Sequence, residues 1–475
     1  MKRFLAIFFI GACTLKAQAN NGELRLTVTD PSGLGVQSHV QLTSDANQYR
    51  SIFTTDESGH LDVQRLPFGA YEVSIENSGF AEASEIVEIR TSVPTEYAVK
   101  LSLTPVNVSV RVKESGTLID PDHAASVNQV GSQQIQDRLT SLPGRSLQDL
   151  VNSQPGWLYE GNAVLHPRGS EYQTQIVVDG IPLTDNRSLS FGPEIKADDI
   201  DSLSVYTAGF PAEYGRKLGG VVEVNTQKDA PAGFHGQAVL EGGSFDTGGV
   251  FVQAQDVWSK NALGFSASGG MTDHYLNPVV PQNYTNTGTT GDFSVNYTHD
   301  LTPNDRVRLS VRHELSRYEI PNEQLQEAAG QLQNGDNFET MGIVSYHHTF
   351  SSDLEADIRG MVRDNSNGLT SNPLSTPIIA FQNNYFIEGY FKGSVAIHRG
   401  RHELKFGVES DNMFLHENFN DVIIDPTQFD DGTPTTFAFS GSHPDFEQSA
   451  FAQDQIRLGN WTVNGGLRWC RPSRG

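Results

Sequence analysis

Four short stretches carry residue types that could do chemistry: Arg168-Gly169, Asp179-Gly180, His347-His348 and His402-Glu403. Adjacent histidines could chelate a metal only from a shared face, and neighbours on a strand point to opposite faces, so His347 and His348 cannot act as a pair. His402-Glu403 lacks the second histidine of a zinc-protease helix and sits in a strand pattern. No Ser-His-Asp arrangement can be argued. We therefore assign no catalytic residue, no metal ligand and no cofactor, and the chain reads as a non-enzyme. Arg168 and Asp179 bracket something else. In HPRGSEYQTQIVVDGIPL, residues 166–183, a polar opening runs into Ile176-Val177-Val178 and stops at Asp179-Gly180. Consecutive apolar strand residues imply burial on both faces, and Asp-Gly is a favoured tight-turn pair. Asp179 and Gly180 are thus read as turn formers, and a compact core is expected near residue 180.

Composition limits what can surround that core. The chain has 475 residues, enough for several domains, with 37% hydrophobic residues and 45 glycines. A net charge of −24 argues against nucleic acid as a partner. No run of about 18 apolar residues follows the N-terminus, which excludes a transmembrane helix but not a membrane β-barrel, whose strands alternate. Residues 1–19 read as a secretory signal: Lys2-Arg3, an apolar stretch Phe4–Ala12, and the cleavage site Ala17-Gln18-Ala19. Ile10-Gly11-Ala12-Cys13 offers lipoprotein processing as an alternative, with Cys13 as the lipidation site. After cleavage at Ala19 only Cys470 remains, so no internal disulfide framework is expected.

Residues 20–103 read as a small all-β domain, with alternating LRLTVTD and HVQLT and a turn at Ser58-Gly59. The order Asp-Pro-Ser-Gly, Thr-Thr-Asp-x-x-Gly, Leu-Pro-x-Gly-x-Tyr-x-Val, Gly-Phe resembles the carboxypeptidase-regulatory-like, transthyretin-type sandwich with its carbohydrate-binding-like fold. Residues 104–116 hold one short alternating strand: Val106, Val108, Val110 and Val112, flanked by Pro105 and Gly116. It is either the last sandwich strand or a free strand awaiting a partner's sheet edge. Residues 117–228 mix two short helical patterns with buried strands. From 229 to 475 the texture changes to about eleven strictly alternating segments of roughly 9–13 residues, the length a tilted strand needs to cross a bilayer. Val307, Leu309, Val311, Leu404, Phe406, Val408, Trp461 and Val463 form the expected lipid-facing set, with Ser310 and Asn464 facing the lumen. Loops of very unequal length, long at 272–290 and 414–445 and short at DLTPND, fit a barrel with short periplasmic turns and long external loops.

In this order the pieces resemble a TonB-dependent outer-membrane receptor of the Oar-like and glycan-importer branches. The specific strings are Leu147-x-Asp149-Leu150-(x)4-Pro155-Gly156, Arg168-Gly169, Ile176–Gly180, and Ala212-Glu213-Tyr214-Gly215 followed by Gly219-Gly220-Val221-Val222-Glu223-Val224. The resemblance implies an α+β plug over 117–228 inside a transmembrane antiparallel β-barrel, of which 229–475 would supply about half of 22 strands. It implies that Arg168, beside Gly169, is a buried cation reaching a barrel-wall carboxylate, and that Glu213, Tyr214, Gly215, Gly219 and Gly220 form the plug motif. Where relatives often carry a second Arg-Gly, this chain has Tyr206-Thr207-Ala208-Gly209. The resemblance also implies that the four valines are a TonB box for a TonB-type inner-membrane energy transducer. Outer-membrane lipid surrounds the wall, and a small solute or glycan (siderophore, cobalamin or glycan class) is taken up at the cell outer membrane, with sandwich and plug on the periplasmic side. About eleven strands cannot close such a barrel, and after Trp469 the chain ends in CRPSRG. It therefore reads as truncated, frameshifted or a fragment, with a dimerising half-barrel as the alternative, and an adhesin or binding scaffold as the competing function.

Overall fold

The computed structural model describes residues 21–91, 93–103, 126–168, 173–185, 188–190, 192–217, 219–226, 230, 232–459 and 461–472. The signal segment with Cys13, the four valines of 104–116, and Gly169 lie outside the described residues.

The N-terminal unit is a sandwich of a three-stranded sheet (His60–Pro67, Asn21–Thr29, Thr95–Lys100) on a four-stranded one (Tyr49–Thr54, His39–Ser44, Gly69–Glu76, Ala83–Ile89). Strand alternation sorts the side chains: along Gly69–Glu76, Tyr71, Val73 and Ile75 are buried while Ala70, Glu72 and Glu76 face out. The inward set joins Leu24, Leu26, Val28, Val40 and Leu42 in one core. At the Ser58-Gly59 turn the Asp56 carboxylate accepts hydrogen bonds from the Ser58 and His60 amides, both at 2.8 Å.

The second unit is built on a five-stranded sheet in the order Ile181–Leu183, Thr174–Val178, Gly220–Asn225, Ser202–Ala208, Ser126–Val130. Thr174–Val178 and Gly220–Asn225 run parallel at its centre, and every residue of both strands is buried. Ile176 and Val178 pack with Leu147, Leu150 and Val151 of helix Ser146–Asn152, while Val177 points the other way, onto Tyr206, Tyr214 and Val221. The run of consecutive apolar residues is therefore buried on both faces, each large side chain contributing roughly 1.5–3 kcal/mol.

The third unit is one antiparallel sheet of eleven successive strands, from Gly233–Gly243 to Trp461–Pro472, with Ile378–Ile379 as a short side pairing. Turns at 259–260, 303–304, 352–353 and 400–401 lie along one edge; along the other edge are the loops 273–287, 320–332, 372–380 and 424–435. The strands grow longer than the 9–13 residues expected, reaching 22 in His402–Ile423 and 23 in Thr436–Leu458. Much of the stretch 414–445, expected as loop, is consequently ladder, because alternation and pairing continue past the span that needs an apolar face.

Burial along this sheet is inverted relative to the sandwich. On Asp305–Glu319 the buried side chains are Arg306, Ser310, Arg312, Glu314, Ser316 and Tyr318, five of them polar or charged besides the tyrosine, whereas Leu309 and Val311 are 47% and 50% exposed. Glu403, Lys405 and Glu409 are buried on the next such strand, and Val408 is exposed. A sheet with an apolar outer face and a polar inner face is stable only where lipid meets the outside. None of the described helices is long and apolar enough to cross a membrane; the strands do so.

Candidate functional site: the plug seated against the wall

The second unit lies against the polar inner face of the sheet, and charged side chains from distant segments meet there. Arg363, whose side chain is fully buried, has Nη2 at 2.7 Å from both Asp185 of the plug and Glu339 of the wall, and Nη1 at 3.0 Å from Glu388. Arg312 of the wall pairs with Asp199 of the plug at 2.6 Å. With the polarity reversed, Lys196 of the plug reaches Glu241 of the wall at 2.5 Å, and Arg216 of the plug pairs with Asp411 and, at 3.2 Å, with Glu447. Apolar wall residues Met341, Ile343, Met361 and Tyr390 complete the seat by joining the plug core.

Glu213 is a plug carboxylate held by two wall lysines. It sits in the turn after Ser202–Ala208, accepts from Lys392 at 2.9 Å and from Lys405, and its backbone carbonyl accepts from Arg468 at 2.6 Å. Burial alone would raise its pKa, but the two ammonium groups outweigh it and hold the carboxyl down to about 2. Tyr214 beside it is buried, with Lys392 Nζ 6.0 Å from its ring centroid. Glu223, also buried, is pushed upward by burial and then by the Glu213 charge.

Such an interface is specific without being strong. Taking each charge out of water costs several kcal/mol, and the pair returns that only with good geometry. The ion pairs fix the register of the plug, and the apolar contact with Met341, Ile343, Met361 and Tyr390 adds area to the same seat.

The sequence-predicted residues distribute as follows. Asp179 and Gly180 make the two-residue turn joining Thr174–Val178 to Ile181–Leu183, with φ of +47° and +79°. The Asp179 carboxylate accepts from the Thr226 amide and hydroxyl at 3.0 and 2.7 Å, fastening the turn to the end of the neighbouring strand. Arg359 of the wall donates to the Asp179 carbonyl, and a Cβ on Gly180 would collide with that guanidinium. Gly220 opens its strand under Trp157, whose ring would lie 2.9 Å from an added Cβ; Gly219 precedes it, and Gly215 faces Arg468.

Arg168 stands apart from the seat. It is exposed, at φ +46°, and its amide donates to the Gly156 carbonyl at 2.9 Å; no ion pair to the wall involves it among the described residues. It directly follows the second strand of the hairpin Trp157–Tyr159/Leu165–Pro167, at the open end of that pair. The plug-to-wall cations are instead Arg312, Arg363, Lys392, Lys405, Arg216 and Lys196. The sequence signal for the wall members was a charge at every second strand position; their plug partners were invisible because Glu213 lies 179 residues from Lys392 and 192 from Lys405. His347 and His348 do face opposite ways: His347 turns toward Glu355 on the inner face, and His348 toward Asp305 and Phe350.

A small mixed sheet held inside a wall that is polar within and apolar without defines a plugged outer-membrane barrel of the receptor class. The chain belongs to the TonB-dependent receptor family. The TonB-dependent receptor plug domain matches residues 121–221, and the TonB-dependent receptor-like β-barrel matches 264–473. The chain is similar to the TonB-dependent transporter Oar of Myxococcus xanthus, 23% identical over 204 residues, which are 42% of this chain and 19% of that protein. Its fold is similar to that of the unliganded ferric citrate transporter FecA (TM-score 0.56, 14% identity, 74% of this chain and 56% of that one). It is likewise similar to the ferric enterobactin receptor PfeA of Pseudomonas aeruginosa, in a mutant form (TM-score 0.58, 16% identity, 74% and 58%). The ferric yersiniabactin uptake receptor FyuA of Yersinia pestis gives the same TM-score, 0.58, at 14% identity, over 74% and 57%. The chain thus spans between a half and three-fifths of the length of these solved structures. Family and barrel together place it in the outer membrane, plug on the periplasmic side.

Proposed function

We propose that this chain serves TonB-dependent active uptake of a scarce solute of the siderophore, cobalamin or glycan class. The solute binds on the side of the long loops and is admitted when an inner-membrane TonB-type transducer pulls on the segment ahead of the plug. The observation that carries the reading is the seat itself: a folded plug lies against the polar inner face of the wall and meets it through many side-chain ion pairs, an arrangement suited to displacement under force. The solved neighbours whose names mention ferric citrate, ferric enterobactin and ferric yersiniabactin favour the siderophore class. In this reading residues 20–103 are a carboxypeptidase-regulatory-like domain, and Val106, Val108, Val110 and Val112 are the TonB box, adding as a strand to the transducer's sheet edge.

Proline at Val108 would remove a main-chain donor and break that ladder. In cells carrying the Val108→Pro variant, cross-linking to the transducer should be lost while solute binding persists; unchanged cross-linking returns the strand to the sandwich. Uptake that continues after the proton gradient collapses rules out active import and leaves the adhesin or scaffold reading.

A further inference from the structure

The sandwich does more than precede the plug; it is docked on the wall. It sits at the edge with the short turns. Glu23, on its strand Asn21–Thr29, is only 6% exposed and pairs with Arg306 of the wall at 3.1 Å and with Arg25 at 2.7 Å. Arg25 donates in turn to the carbonyl of Pro303, in the turn 303–304, at 2.9 Å. Arg308, the next inward-facing residue after Arg306, donates to Gln64 of the sandwich. The sandwich also meets the plug, where the Gln48 carbonyl comes so close to Gly131 that an added Cβ would lie 2.0 Å from it. Between the three units lies a cavity of about 120 Å³, bounded by Glu23 and Arg65 of the sandwich, Asp179 and Glu223 of the plug, and Ser310 and Arg359 of the wall. Charged side chains line it beside Tyr214 and Ile343, and it has room for a few waters, at about 30 Å³ each.

Two inward arginines at the end of a wall strand are thus committed to a domain outside the barrel. We propose that the sandwich is a stopper. Docked through Glu23 on Arg306 and Gln64 on Arg308, it closes the periplasmic end of the lumen, and it must lift away before the space between plug and wall opens to the periplasm. The docking surface is an inward-facing arginine pair; the occupant is this chain's own sandwich. The inference rests on the membrane orientation and is independent of which solute is carried.

The test uses thiol labelling of the full chain in isolated outer-membrane sheets. Cys470→Ser removes the exposed thiol, Ser310→Cys places one in the cavity, and a charged maleimide reports access. Glu23→Lys puts like charges together and should speed labelling at least about ten-fold, since unpairing a buried charge is strongly destabilising. Arg306→Met, which strips Glu23 of the same partner from the wall side, should speed labelling likewise. In parallel, a short bis-maleimide should join Gln64→Cys to Arg308→Cys, and Glu23→Lys should abolish that product. If Glu23→Lys fails to assemble, Glu23→Gln is read in its place. Equal labelling rates in parent and variant, failure of the bis-maleimide to join the pair, or an Arg306→Met chain that labels as slowly as the parent, would overturn the stopper.

Discussion

The sandwich and the wall are both antiparallel sheets with strict two-residue alternation, yet they bury opposite residues. In the sandwich Leu24, Val40 and Tyr71 are fully inside and Glu72 is out. In the wall Arg363, Glu388 and Lys405 are inside, while Val362 is 65% and Val408 39% exposed. Alternation therefore reports that a sheet has two different faces and says nothing about which one is sheltered. That choice belongs to the solvent: water around the sandwich, lipid around the wall. The wall's charged inner face is compensated partly within the wall, as in Arg363 with Glu339 and Glu388, and partly by counter-charges that the plug brings to it.

The strongest way to break this contrast is to strip a wall charge of its partners' compensation. Arg363→Met would leave Asp185, Glu339 and Glu388 buried together without a cation, and should loosen the plug seat by about 3–5 kcal/mol, read as faster hydrogen exchange in Thr174–Val178. The corresponding damage to the sandwich comes from an apolar deletion: Leu42→Ala should cost about 2–5 kcal/mol in thermal unfolding of that domain and leave the wall intact. A charge on the wall's outer face tests the inversion directly. Leu309→Arg should cost about 2–4 kcal/mol in a lipid folding assay, and Asn464→Arg, on the inner face, much less; equal costs would remove the barrel reading.

Acid sharpens the same comparison at one residue. The Glu213 carboxyl titrates at about 2 when folded, below its ordinary 4.5. Because the folded value is the lower one, its contribution is complete above pH 4.5 and is lost as pH falls toward 2. Glu213→Gln should therefore flatten the difference in plug stability between pH 5 and pH 3, measured against the parent chain by melting; an unaltered slope would mean that the two lysines do not hold it. The smallest effect is expected on the outer face of the sandwich, where Ile52 is 64% exposed. Ile52→Ser should stay within about 0.5 kcal/mol of neutral.

Much of this was legible in the residues. Ile176-Val177-Val178 announced a strand with no wet face, Asp179-Gly180 announced its turn, and the alternation of RVRLSVRHELSRY announced a wall strand with Arg306, Ser310 and Glu314 on one side. Each of these depends only on neighbours within a few positions, where strand geometry fixes which side chains share a face. What the tertiary structure decided was who meets whom across the lumen. Arg168, the obvious candidate cation, lies exposed beside the Gly156 carbonyl, whereas Glu213 passes over its sequence neighbours Arg216 and Lys217 and is clasped by Lys392 and Lys405. Nor could any local pattern announce that Glu23 would settle on Arg306, 283 residues away. Pairing of buried charges is set by the three-dimensional closure of separate units, and since sequence distance carries no record of that closure, the identity of every plug-to-wall contact had to come from the folded chain.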